Sequence, residues 1–147
     1  MTTTTETITL PMVPSELLQL AIDDARRLDR INYIPDSSSW HRPLQKNPEI
    51  CRVCLAGAVM AGTLKVSPDR SAAPDYVHEP GHYHALVALD VMRRGLWNEA
   101  FNQLGIVAAL PEGLVTPRYT LFCTWEQFDV HLEDQQCNVE VLRAAGL

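Results

Sequence analysis

The sequence predicts a mainly α-helical fold, a compact helical domain around one central buried helix at about 48–64, with room for one or two short strands. Three observations carry that expectation. The stretch Asn47 to Leu64, NPEICRVCLAGAVMAGTL, is almost wholly apolar or small. Apolar residues recur at helical spacing in several other segments. Thr124-Trp125-Glu126-Gln127 reads as a capping box, with a hydroxyl at the N-cap and an amide three residues on.

Taken in order, residues 1–13 read as a polar tail that runs into a short extended piece, Thr7 to Met12, stopped by Pro11 and Pro14. Ser15 suits an N-cap for a first helix, Glu16 to about Arg30, whose apolar stripe is Leu17, Leu18, Ala21, Ile22, Ala25 and Leu28. Residues 31–46 have no period, and Ser37-Ser38-Ser39 with two prolines marks a loop. Trp40 stands in it. Buried aromatics dominate core energetics, so the default is a lid folded back on the core; the alternative is an anchor for a partner.

In the central helix, Asn47 would cap the first turn, Pro48 would sit where a missing N–H costs nothing, and Glu49 would meet the positive end of the dipole. Arg52 is the only charge between Glu49 and Lys65. A helix apolar all round belongs in a core, and this one is too short and too soon followed by Lys65 and Asp69 to span a membrane. Gly57 in mid-helix costs about 1 kcal/mol relative to Ala, which close packing at that point would offset.

Residues 65–81 form a second loop, with Pro68, Pro74 and Pro80 excluding regular structure. A third helix runs from His82 to Arg94 before Gly95, and a fourth from Trp97 to Leu104 before Gly105. Ile106 to Leu114 is apolar but broken by Pro111 and Gly113, and Arg118 to Cys123 suits a short strand or a connector. After the capping box come a helix with Trp125, Phe128 and Leu132, then a further turn or helix over Cys137–Ala145.

At 147 residues and a net charge of −6, residues 14–147 suffice for one domain with its own core. Four cysteines without a leader-like start point to free thiols and the cytoplasm. The negative charge argues against binding nucleic acid or an anionic membrane and permits a partner with a basic surface. No Lys or Arg lies between Arg118 and Arg143, whereas Glu126, Asp129, Glu133, Asp134 and Glu140 do. That acidic face, with Trp40 and the 65–81 loop, is the candidate binding surface.

Chemistry is sparse. Cys51 and Cys54 make a C-x-x-C, which inside a helix reads as two core cysteines. A zinc site would need them joined by His78 and His82, with His84 in reserve. A Cys–His hydrolase would use Cys54 as nucleophile and His82 or His84 as base, but a thiol among core residues is inert. There is no H-E-x-x-H, G-x-S-x-G or phosphate-binding glycine loop. The expectation is no catalytic residue, no metal and no cofactor.

Leu17-Leu18, the loop residue Trp40, Cys54-Leu55-Ala56-Gly57-Ala58, Trp125 and Val141-Leu142-Arg143-Ala144-Ala145 occur here in order. Together they resemble a family of small uncharacterised helical domains of phages and bacteria. The chain departs from it in the long 65–81 loop and in Glu126, where an Asn-Asp usually follows the Trp. The resemblance implies a helical domain of mobile-element origin. The expected function is therefore a small acidic binding protein, a phage-encoded modulator or inhibitor of a host protein acting by contact in the host cytoplasm. The alternative is the zinc-binding or hydrolase reading.

Overall fold

The computed structural model describes residues 8–65 and 81–147. Its elements run α1 Pro14–Arg27, β1 Tyr33–Pro35, β2 His41–Pro43, β3 Cys51–Val53, α2 Leu55–Gly62, α3 His82–Arg93, α4 Trp97–Gln103 and α5 Trp125–Ala144. The fold is mainly α with a few short strands, as the apolar periodicity indicates.

In α1, Pro14 takes the first helical position and Val13 is an N-cap with no side-chain bond. Ser15, expected as the cap, lies inside the helix instead. Its N–H and its hydroxyl both donate to the carbonyl of Leu147, at 3.3 and 3.1 Å. One of the helix's orphan donors is thus satisfied from the far end of the chain. The helix stops at Arg27, short of Arg30, because Asp29 accepts from the Ile31 N–H and the Asn32 amide and turns the chain.

The central helix is shorter than its sequence suggests. Asn47–Pro48 opens a turn rather than a helix, with the Ile50 N–H bonded to the Asn47 carbonyl. Cys51–Val53 is the middle strand of a sheet of order β1-β3-β2, parallel to β1 and antiparallel to β2. Tyr33 pairs with Cys51, Pro35 and His41 with Val53, and one face of the sheet is buried through these residues. Pro35 and Pro43 lie on the outer strands, where a missing N–H is tolerated. Only Leu55–Gly62 is helical, with Cys54 as its N-cap. Hydrogen bonding on both sides of β3 wins over an apolar pattern that suits helix and buried strand alike.

α2 is buried along Leu55–Met60 and lies against α1 and α3. Its glycines mark close approaches: a Cβ on Gly57 would meet the Trp40 carbonyl and one on Gly62 the Asp24 side chain. The close approach at Gly57 is therefore made by the Trp40 loop, not by another helix. Asp24 is buried, held by the Thr63 hydroxyl and by Arg27.

Gly95 and Gly105, both at positive φ, end α3 and α4 as expected. The Leu96 and Ile106 N–H groups beyond them reach back to the Val91 and Phe101 carbonyls. Thr124 accepts from the Gln127 N–H, completing half of the capping box, but Gln127 returns its bond to Cys123, one residue earlier. The two C-terminal pieces are one continuous helix, α5, packed on α1. Leu10, from the described end of the tail, is buried in the common core with Leu17, Ile22, Met60, Leu89 and Phe128.

Candidate functional site

Between α4 and α5 lies a long connector without helix or strand, residues 104–124. A segment that long and irregular inside a packed domain needs its backbone groups satisfied from elsewhere. Two buried side chains of α5, His131 and Asn138, do much of this, and a third, Gln135, lies between them and donates to the Met92 carbonyl of α3 at 3.5 Å. They follow one another at four- and three-residue steps along one side of the helix.

Asn138 reproduces a strand-like pairing with Val115, its Oδ1 accepting the N–H at 2.8 Å and its Nδ2 donating to the carbonyl at 2.9 Å. It also donates to Gln135 Oε1 at 3.0 Å. His131 lies within 2.7 Å of the Tyr119 carbonyl through Nδ1, which must therefore carry the proton. Its other nitrogen is left to accept from Gln135, at 3.4 Å. Burial pushes the His131 pKa down to about 4, and the charge of Arg93 pushes the same way. The ring is neutral at pH 7.

Other elements hold the rest. Arg93 of α3, itself buried, donates to the Thr120 carbonyl at 2.6 Å and to Asp90. Ser37, in the β1–β2 loop, donates its N–H to the Phe122 carbonyl and accepts the Phe122 N–H on its hydroxyl. Asp134 accepts the Arg118 N–H at 2.8 Å and two guanidinium bonds at 3.1 Å, and these hold its carboxyl below the usual carboxylate range.

The connector is thus fastened at Val115, Arg118, Tyr119, Thr120 and Phe122. Leu104 and Phe122 are buried, but five apolar side chains point outward: Val107 is fully exposed, Leu121 is 72 % exposed, and Leu110, Val115 and Tyr119 are partly so. From Val107 to Leu110 the N–H groups make no hydrogen bond within the described residues. Beside this stretch lies an open groove of about 410 Å³. Its walls are Asn98, Phe101 and Asn102 of α4 and the run Ile106–Ala109. Sequence reasoning missed this surface, because an apolar run such as Ile106-Val107-Ala108-Ala109-Leu110 reads as core unless its partners are known.

The structure places the expected site residues apart. Trp40 is half-buried against the core, in the position of a lid. Cys51 is in β3 and Cys54 caps α2, so the pair straddles a strand and a helix start rather than lying within one helix. Both are buried. Burial pushes the Cys54 thiol up to about 11, although the Gly57 and Ala56 N–H groups point at it from the helix start. A thiol so placed stays protonated.

His82 is buried at the start of α3 with Nε2 2.6 Å from the Ile8 carbonyl, whereas His84 is exposed near Gln103. His78 lies outside the described residues, as does most of the 65–81 loop. Among the described residues no group of three or more His, Cys, Asp or Glu side chains is arranged to hold a metal ion.

The acidic face has counter-charges after all. Arg30 grips Asp129 with two bonds, at 2.5 and 3.2 Å, while stacking over the Trp125 ring 4.6 Å from its centre. Arg118 serves Asp134 and approaches Glu133 to 3.6 Å, and Arg143 reaches Glu140 at 3.3 Å. Only Glu126 of the five has no cation beside it among the described residues. Arg30 comes from beyond α1 and Arg118 from the connector, so a scan of α5 alone makes the face look more one-sided than it is.

No helix of the described residues is long and apolar enough to cross a membrane. No protein-family model, curated protein or solved structure matches the chain.

Proposed function

We propose that this chain is a small acidic binding protein that acts by contact with another protein, as a modulator or inhibitor of a host protein. The observation that carries this reading is the connector between α4 and α5. Buried polar side chains of α5, with Arg93 and Ser37, fix its backbone from Val115 to Phe122, where Val115, Tyr119 and Leu121 are nonetheless turned to solvent, as are Val107 and Leu110 before them. Exposed apolar side chains gathered on one rigid segment mark interaction sites more often than scattered ones do. A preformed backbone also spares part of the ordering entropy that binding costs. The net charge of −6 favours a partner with a basic surface, and the resemblance to small phage and bacterial domains supports a phage-encoded role in a host cytoplasm. The zinc and hydrolase readings gain no support from a protonated, closed Cys54.

The test is capture of a partner from the source cell by three baits: the parent chain, Val107→Asp with Leu121→Asp, and Asp129→Lys with Glu133→Lys. All four positions are exposed, so the fold should survive each change. The expected result is loss of the partner with the first variant, and with the second a slower association that no longer falls with added salt as the parent's does. Equal capture by parent and apolar variant would remove the connector from the interface.

A further inference from the structure

Two backbone positions of the connector, Val115 and Tyr119, fix the sense of every hydrogen bond between them. The Val115 N–H only donates and its carbonyl only accepts, so Asn138 must turn Oδ1 to the first and Nδ2 to the second. The same Nδ2 also donates to Gln135 Oε1 at 3.0 Å. That turns the Gln135 Nε2 toward His131 Nε2, at 3.4 Å, and toward the Met92 carbonyl, at 3.5 Å. His131 Nε2 must then be an acceptor and Nδ1 a donor. The Tyr119 carbonyl, 2.7 Å from Nδ1, demands the same tautomer. The run from Val115 through Asn138, Gln135 and His131 to Tyr119 thus has one consistent arrangement, and it needs a neutral ring. All three side chains are wholly buried, so water does not mend a mismatch.

We propose that His131, Gln135 and Asn138 form a proton-operated latch, in which protonation of His131 releases the pairing of Asn138 with Val115. A proton on Nε2 would face the Gln135 amide, donor against donor. Turning that amide offers Oε1 to His131, but it sets the Gln135 Nε2 against the Asn138 Nδ2 and Oε1 against the Met92 carbonyl. Turning Asn138 as well sets its Nδ2 against the Val115 N–H and its Oδ1 against the Val115 carbonyl. The conflict moves along the run and ends only when Val115 lets go. The amides transmit it because each has two discrete orientations.

Two charged groups act on the ring, and they oppose each other. Arg93 of α3, paired with Asp90, disfavours a second positive charge. Asp134 of α5 favours one, but it is engaged by Arg118 of the connector. The connector also sets the Phe122 ring against the imidazole, 5.0 Å between centroids. Burial outweighs these influences and keeps the ring neutral at pH 7, so the latch is closed there and opens in acid. It acts whether or not the connector meets a partner.

The experiment follows the His131 ring and the Gln135 and Asn138 side-chain amides by NMR in the intact chain as the pH is lowered. Hydrogen exchange is measured alongside, as protection relative to the unstructured peptide, so that the intrinsic pH dependence cancels. The ring and the two amides should move on one midpoint. Protection at Val115 should fall by roughly tenfold or more between about pH 6.5 and about pH 4, because opening there takes up a proton that the closed state does not. Val115 should open ahead of α1 and α2 throughout. Gln135→Met cuts the run and keeps the bulk, so its Val115 protection should be independent of pH while His131 still titrates. In Asp134→Asn, which leaves the run intact, the acid loss at Val115 should persist.

Constant Val115 protection through the His131 titration would overturn the proposal. So would Val115 exchange that only tracks α1 and α2, which is unfolding of the whole chain. An unchanged acid response in Gln135→Met, or its disappearance in Asp134→Asn, would move the effect to the Asp134–Arg118 pair and overturn it equally. Should Gln135→Met fail to fold, Asp134→Asn and the shared midpoint in the parent still decide.

Discussion

The carbonyl oxygen of Trp40 lies 1.4 Å from where a Cβ on Gly57 would sit. The loop that carries Trp40 is therefore seated directly on the α2 backbone, and only glycine leaves it room. Gly57→Ala removes a helix-weakening residue, yet it should destabilise the protein by roughly 2–3 kcal/mol through overpacking, outweighing about 1 kcal/mol of gained propensity. Calorimetry checks this: the variant should melt several degrees below the parent. A variant that melts with the parent would show that the loop lifts away at little cost and that Trp40 is not a fixed lid.

Asn138 carries the pairing with Val115 alone. Asn138→Ala removes three hydrogen bonds and leaves the Val115 N–H and carbonyl without their protein partner. A cost of about 1–3 kcal/mol is expected. Hydrogen exchange at Val115 should accelerate in the variant, well ahead of exchange in α1 and α2. Unchanged protection at Val115 would mean that other contacts hold the connector.

His131 makes stability depend on pH. In the unfolded chain its pKa is near the usual 6.5, and in the folded state it is pushed down to about 4. Between those values the unfolded chain binds a proton that the folded state does not, so the slope of stability against pH is positive. Its contribution is complete above about pH 6.5 and is lost progressively as the pH falls toward about 4, to a limit of about 3 kcal/mol. Denaturant melts of parent and His131→Gln across this range should separate, with the parent losing more stability in the window. Parallel curves would show that the ring is protonated without penalty.

The four cysteines should divide in two. Cys51 and Cys54 are buried, Cys123 and Cys137 exposed. Iodoacetamide on native protein should modify Cys123 and Cys137 within the time for free thiols, with Cys54 following only in denaturant. Rapid native labelling of Cys54 would revive the nucleophile reading.

How much of this was legible in the sequence depends on whether the signal was local. Gly95, Gly105 and Thr124 act on their own neighbours, and the ends of α3 and α4 and the start of α5 fall where those residues point. β3 was hidden because its partners, Tyr33–Pro35 and His41–Pro43, are elsewhere in the chain, and Cys-Arg-Val in an apolar run fits either state. The middle of α5 looked like a break. Asn138 is turned to the connector and Gln135 to Asn138, His131 and the Met92 carbonyl rather than to water there, so the buried side lacks an apolar period. The candidate surface suffered from the same limit. An exposed Val107 and a buried Val59 are indistinguishable by type, and the ion pairs of Asp129 and Asp134 depend on arginines outside α5.

The packing of α1 against α5 has a consequence for how the protein is made. Both α2 and α5 pack on α1: α2 follows it closely in the chain, but α5 is separated from it by residues 28–124. At ordinary translation speeds of about 5–20 residues per second, the side of α1 that packs on α5 waits roughly five to twenty seconds for that cover. The bonds of Arg30 to Asp129 and of Ser37 to Phe122 close over similar spans and form equally late. During synthesis the nascent N-terminal half is thus an apolar client for whatever holdase the cell supplies, and the interval shortens or lengthens with the speed at which codons 28–124 are read.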